Sequence, residues 1–302
     1  GSIKVERSGR VTAITGSSAH GQGHETTFAQ IVADHLGVTP DDVVVVHGDT
    51  RSGPEGFGTF GSRSVALGGS ALQQVAVEVR EKGRRIAARL LEAAVPDVIG
   101  VPGGFQVTGV PQRRVLWREV AVAAYAGGHA LPPGDTPGLE ATTYFQPDAE
   151  VWTFGAIVCA IRIEAETGRL VIERLVWVDD AGTIINPLLA EGQLHGSLAQ
   201  GLGQALMEEI VYDADGQLVT GTLMDYAIPR ADDVPPVLIE KTCTPSPRNP
   251  LGAKGVGEAG CIGIPPAVVN AAVDALAPLG ITHLDMPLTP ARLWAALRDA
   301  KR

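Results

Sequence analysis

The stretch NPLGAKGVGEAGCIGIPPAVVNA (249–271) decides between two fold classes. Gly255-Val256-Gly257-Glu258-Ala259-Gly260 matches the spacing of a dinucleotide-binding turn. That turn works only directly after a hydrophobic central strand. The residues before it are Thr244-Pro245-Ser246-Pro247-Arg248-Asn249-Pro250. Proline lacks the N–H that a central strand must donate, so this is not such a strand. Too little chain follows to complete a doubly wound sheet. The remaining reading is a tight Gly-rich loop that presents one carboxylate, Glu258, just before a helix. Small and apolar neighbours predict that this carboxylate is partly desolvated, which would raise its pKa and suit it to proton transfer. Pro265-Pro266 are expected to open that helix, which would run to about Leu276, because proline suits a first turn. A capping role for Glu258 would then span too many residues for a capping box.

Upstream, the expected order is strands and helices in alternation. Ala156–Ile163 and Leu170–Val178 read as a hairpin around Glu166-Thr167-Gly168, followed by a helix from about Leu188 to Met207. Val211-Tyr212 and Leu218-Val219 flank another turn, and residues 229–257 read as a Pro-rich loop. Thr289-Pro290 cap a last helix. In the first half, Val11–Thr15 reads as a strand, Thr26–Leu36 as a helix stopped by Gly37, and Val43–Val46 as a buried strand. A long Gly- and Ser-rich loop over residues 48–69 leads into a helix whose Leu72, Val75, Val79, Ile86 and Leu90 share one face. Residues 95–150 read as an irregular crossover apart from a helix near Trp117–Ala126. Gly21-Gln22-Gly23-His24 and Gly192-Gln193-Leu194-His195 form a faint repeat, each with Ala-Gln downstream. The expected fold class is therefore α+β, with two pseudo-repeated strand/helix lobes. The first lobe spans 1–145 and carries Gln22 and the 58–64 loop. The second spans 146–302 and carries Gln193 and Glu258.

Gly58-Thr59-Phe60-Gly61-Ser62-Arg63-Ser64 has the chemistry of an anion site. Glycines let backbone amides turn inward, two hydroxyls add donors, and a helix N-terminus follows. Arg63 can add a charge-assisted contact. The plain alternative is a capping serine on an ordinary loop. His20 and His24 stand at a zinc-like interval, but Gly-Gln-Gly between them disfavours the helix that such a pair needs. Gly-flanked Gln22 instead offers a donor and an acceptor close to the backbone. Gln193 does the same; both also read as turn-stabilising amides.

Composition narrows the partners. With 302 residues, 45% of them hydrophobic, the chain can bury a real core. A net charge of −10 argues against nucleic acid. The basic run Lys82-Gly83-Arg84-Arg85 reads as a solvated helix face. No apolar stretch is expected to be long enough to span a bilayer, and no signal-peptide pattern stands at the N-terminus. Cys159, Cys243 and Cys261 have no metal-ligand spacing and read as reduced thiols, hence a cytoplasmic protein. On residues alone, then, the chain binds a large, polar, phosphorylated ligand and brings a single acid/base group to it.

Several longer stretches in fixed order resemble the molybdopterin-binding large subunits of the xanthine dehydrogenase family. They are GQGHETTFAQIVAD (21–34), VVHGDT (45–50), GTFGSRS (58–64), INPLLAEGQLHG (185–196), MDYAIPRADD (224–233) and the opening stretch at 249–271. The resemblance is to the C-terminal half, in the bacterial branch with carbon monoxide dehydrogenase large chains and aldehyde oxidase-like members. It implies a molybdenum–molybdopterin cytosine dinucleotide cofactor. Gln22, with Gly23 beside it, would hydrogen-bond an oxo ligand of molybdenum; no residue here would bind the metal directly. Gly61, Ser62, Arg63 and Ser64 would hold the cofactor's phosphate end. Gln193 would contact the pterin, and Lys254, Gly255, Val256 and Gly257 would lie against the metal centre. Glu258 would be the general base in hydroxylating an aldehyde, N-heteroaromatic or similar carbon. Carbon monoxide oxidation is the alternative, and a non-catalytic assembly module or an unrelated nucleotide binder are alternatives of other classes. The cysteines do not match the family's copper-binding position. The implied partners are the N-terminal half of the large subunit, as a separate chain or a removed segment, an iron–sulfur subunit and an FAD subunit, in a dimer of heteromers.

Overall fold

A computed structural model describes residues 1–51 and 53–300; Ser52, within the loop expected over 48–69, lies outside them. The described residues form two compact units. The first comprises residues 1–152, 183–187 and 245–255, and the second 153–182, 188–244 and 256–302.

The first unit opens with β1 (Ser2–Val5), β2 (Val11–Ile14), α1 (His24–Leu36) and β3 (Val43–Val46). Gly37 ends α1 in the left-handed region, where a β-carbon would be strained. β3 runs parallel to β2. It is not the fully buried strand expected. Val43 is buried and Val45 packs on the core, but Val44, on the opposite face, is 47% exposed. The cause is position: β3 is an edge of the sheet β3-β2-β1-β7. A single π-helical turn, Val65–Gly69, leads into α2 (Ser70–Leu90). Leu72, Val75, Val79 and Ile86 form its buried seam, whereas Leu90 is exposed at the helix end. Gly83 lets α2 lie against the Trp117 ring, since a β-carbon there would stand 2.8 Å from it. On the solvated side, Arg84 pairs with Glu81 and Arg85 with Asp135.

The expected crossover over 95–150 is corrected. It contains an antiparallel meander of β4 (Val98–Val101), β5 (Gly104–Val107) and β6 (Val110–Leu116). α3 (Trp117–Ala126) follows, and then β7 (Glu140–Thr142), which pairs with β1. The meander escaped detection because β6 is almost wholly exposed and shows no apolar alternation. Trp117 ties it down: its ring packs edge-on against Phe105, and its indole N–H donates to the Leu36 carbonyl at 2.8 Å.

The second unit is built on β8 (Phe154–Ile163) and β9 (Leu170–Asp180), an antiparallel pair as expected. α4 runs Pro187–Leu206. The Pro-rich stretch 229–257 contains an unexpected strand, β10 (Val237–Lys241), parallel to β9. Its local pattern is too short to stand out; β9 supplies the ladder. The turn over 211–219 closes only one bridge, Tyr212 to Leu218. α5 begins at Ala259, not at Pro265, and runs to Leu276; α6 is Pro290–Ala300. Both prolines therefore lie inside α5. Ile264, Val268, Ala272 and Leu276 bury one side of α5 in a core with Leu194, Leu198, Leu202, Leu175 and Trp177. With its following turn, α5 makes a segment, Ala259–Leu279, long and apolar enough to cross a membrane. This corrects the expectation that no such stretch exists, and the earlier helix start is the reason. Its seam of Ile264, Val268, Ala272 and Leu276 is buried, whereas Ile262 is 69% exposed.

Candidate cofactor site

In the first unit, the chain leaves β2 through Thr15 and Ser17, both buried, with the Ser17 amide donating to Thr15 Oγ1 at 3.1 Å. The 16–17 backbone supports the anion loop. The Gly58 amide donates to the Gly16 carbonyl at 3.2 Å, and a β-carbon on Gly56 would sit 2.2 Å from that same oxygen. A β-carbon on Gly68 would stand 2.5 Å from the Ser17 hydroxyl. Within the loop, Gly58, Gly61 and Ser62 all take positive φ, at 78°, 61° and 50°. Successive residues of that kind turn amides toward one side, as anion-binding nests do. A β-carbon at Gly58 or Gly61 would meet nothing within 4 Å, so the loop is open there. Ser64 is buried and donates to Thr59 Oγ1 at 3.0 Å. The Arg63 guanidinium stacks over the exposed Phe60 ring, 4.1 Å from its centroid.

The structure brings the 249–255 segment onto this loop. A β-carbon on Gly255 would lie 2.0 Å from the Ser62 carbonyl oxygen, so only glycine permits the approach. The segment is shaped by Asn249, a residue that sequence reasoning missed. Its buried side chain donates to the Ala253 carbonyl at 2.8 Å and accepts from the Ala253 amide at 3.2 Å. Lys254, next in line, is buried. The Asn-Pro-Leu-Gly run before it was the available signal.

Gln22 occupies a turn between Gly21 (φ 100°) and Gly23 (φ 75°), and Gly23 is the N-cap of α1. Its Oε1 accepts from the His20 amide, so its Nε2 is the end left to donate to a ligand. Behind it, Glu25 pairs with His47 at 2.7 Å, and the Ala19 amide donates to His47 Nδ1 at 3.5 Å. That pattern puts the His47 proton on Nε2, facing the carboxylate. The hydrogen bond from His47 holds the Glu25 carboxyl below its ordinary value. His24 is buried and stacks on Phe28. Burial first, and the nearby His47 charge second, push its pKa down. Among the described residues no cluster of three metal ligands forms.

In the second unit, Gln193 is half-buried on α4. It lies inside the helix expected from about Leu188, so the reading of it as a turn-stabilising amide is corrected. One turn further, Ser197 donates to the Leu194 carbonyl and accepts from the Gly260 amide at 3.1 Å. A β-carbon on Gly201 would stand 2.7 Å from the Gly260 carbonyl, so small residues let α4 and α5 touch. Val256 and Gly257 lead into Glu258, which is the N-cap residue of α5 although its side chain makes no capping bond. Its backbone carbonyl accepts from the Cys261 thiol and the Ile262 amide. Glu258 is exposed, which corrects the expected desolvation: the small residues around it leave its carboxylate to solvent. A second missed residue is Asp180, fully buried at the end of β9. It accepts from the Gly182 and Thr244 amides and the Thr242 hydroxyl, and so shapes the entry to the 245–255 segment.

This geometry defines a class: an α+β protein with a positive-φ, Gly-rich loop ahead of a helix and a solvent-exposed carboxylate at the start of another. Comparison with known proteins carries the assignment further. Residues 1–235 match the molybdopterin cofactor-binding domain, and the chain belongs to that family. It is 40% identical to the carbon monoxide dehydrogenase large chain of Hydrogenophaga pseudoflava, covering 98% of this chain and 37% of that protein. It is 36% identical to the nicotine 6-hydroxylase large subunit of Paenarthrobacter nicotinovorans, covering 98% and 36%. The crystal structure of quinoline 2-oxidoreductase from Pseudomonas putida 86 superposes with a TM-score of 0.91 at 42% identity, covering 99% of this chain and 38% of that one. The chain thus spans less than two-fifths of the length of these relatives.

Proposed function

We propose that the chain is the cofactor-holding C-terminal part of a molybdenum hydroxylase large subunit, with the cofactor in its molybdopterin cytosine dinucleotide form. The observation that supports this most is the positive-φ turn at Gly61-Ser62 clasped by Gly255. It is a built, open anion cradle in a chain of this family. The donor set fits the cofactor: the backbone amides of Gly61, Ser62 and Ser64 and the Arg63 guanidinium hold its phosphate end, while the Ser64 hydroxyl braces the loop on Thr59. Gln22, oriented by Gly23 and His20, donates through Nε2 to an oxo group. Gln193 contacts the pterin, and Lys254, Gly255, Val256 and Gly257 wall the metal centre. When bound, the cofactor supplies oxygen transfer and electron storage. Glu258 accepts a proton on its carboxylate during hydroxylation of an aldehyde or N-heteroaromatic carbon. Carbon monoxide oxidation is the second reading, favoured by the 40% identity to a carbon monoxide dehydrogenase large chain.

In this reading the two units are the two cofactor-binding lobes; in place of the single division expected near residue 145, the first unit runs to residue 152 and also takes in 183–187 and 245–255. The remainder of the large subunit, an iron–sulfur subunit and an FAD subunit complete a dimer of heteromers in the cytoplasm. The unpaired Cys159, Cys243 and Cys261 suit a reducing compartment. The test is molybdenum content of the purified complex, followed by Glu258→Gln. Near-stoichiometric molybdenum is expected in both proteins, with turnover of the variant below about a tenth of wild type, as for loss of a general base. A well-folded complex without molybdenum, from a host that makes the cofactor, overturns the reading. Turnover retained in the variant removes Glu258 from its role.

A further inference from the structure

The sheet β10-β9-β8 has two unlike faces. Ile157, Cys159, Ile161, Leu175, Trp177, Val237 and Ile239 turn to the core. The opposite face is also apolar. Its central row is Val158–Val176–Leu238, in register across all three strands. Beside it, Ala156 stands opposite Val178, and Phe154 continues the β8 row. Val158 is 68% exposed, Phe154 55% and Leu238 49%. Charge borders this patch on three sides: Glu240 beside Val178, Arg174 next to Val176 on the central strand, and the exposed Arg162–Glu173 pair beyond it. A solvated antiparallel face normally carries polar residues in these positions. A contiguous apolar face signals a surface meant to be covered.

We propose that this face packs against the part of the large-subunit polypeptide that lies outside this chain, an inference that rests on the function proposed above. Two observations select that occupant. Each relative extends well beyond the aligned stretch, of which this chain accounts for 37% of the carbon monoxide dehydrogenase large chain. The face is also built of Val, Ala, Leu and Phe, the composition of a sheet core. Apart from Phe154 and the bordering Arg174, it has none of the aromatic, Met or Arg residues that mark a separable interface.

The test uses the complete large subunit in its complex. A Val158→Cys variant is treated with a maleimide and compared with the same protein unfolded in urea, with wild-type labelling subtracted. Burial predicts labelling slowed by about 100-fold or more, because the thiol reacts only through local opening. A photo-reactive benzoylphenylalanine at position 158 should then cross-link within the large-subunit polypeptide, outside residues 1–302. Rapid labelling overturns the proposal. So does a cross-link to a second copy of residues 154–178 or to another subunit. Molybdenum measured on the same sample tests the function separately, since labelling and cross-linking read out with or without the metal.

Discussion

Gly21-Gln22-Gly23-His24 and Gly192-Gln193-Leu194-His195 share three of four letters and take opposite backbones. The first is a turn with two left-handed glycines ahead of α1; the second lies inside α4. The third position decides. Gly23 adopts φ 75° and stops α1 from extending backward. Leu194 continues its helix and sinks into the core at 1% exposure. The fourth position then diverges: His24 is buried on Phe28, whereas His195 is exposed on α4. Even the downstream glutamines differ. Gln30 accepts from Asn186 Nδ2 at 2.9 Å, while Gln200 faces solvent. A likeness of letters thus covers two ways of presenting an amide, one from a rigid turn and one from a helix.

Substituting one glycine in each motif should break this likeness. Gly23→Ala forces a β-carbon into the left-handed region and should destabilise the protein by about 1–2 kcal/mol. Urea denaturation reads this directly, and an unchanged midpoint would contradict the turn. Gly192→Ala should act in the other direction. Its β-carbon meets nothing within 4 Å, and alanine in a helix interior gains about 0.5–1 kcal/mol over glycine. A loss of stability there would mean that the helix does not tolerate the side chain that its open surroundings permit.

The smallest effect concerns His24. The His24 pKa lies below its ordinary 6.5 in the folded chain. The unfolded chain therefore binds a proton first on acidification. His24 contributes full stability above about pH 6.5 and loses it as pH falls from there through the folded value. Glu25, also lowered, adds a separate loss further down, below its ordinary 4.5. His24→Leu should flatten the stability profile just below pH 6.5 and leave the lower step in place. Equal slopes in the variant and wild type would show that burial of His24 does not couple to folding.

Much of the site was legible in the chain. The order of motifs identified the family, and the glycines of the 58–64 loop marked the positive-φ turn at Gly58, Gly61 and Ser62. Periodicity located α1, α2 and the β8–β9 hairpin to within a residue or two at most ends. It failed at β10 and in the meander β4–β6, because exposed or very short strands carry no apolar alternation and depend on their neighbours for hydrogen bonds. It also misjudged α5, where two prolines imitate a helix start. Asn249 and Asp180 went unread because an amide or a carboxylate in a loop has no meaning until the backbone groups it binds are placed around it.

By itself, then, the sequence determined what depends on nearest neighbours along the chain. That includes the α+β class, the left-handed glycines at 37 and 61, the amphipathic seam of α2 and the family. Only the tertiary structure decided what depends on distant chain meeting. It brought Gly255 against Ser62, left Glu258 exposed at the head of α5, and paired β10 with β9. The reason is physical: a glycine's freedom is local, but the distance at which a second backbone approaches it, and the solvent left around a carboxylate, are set by packing.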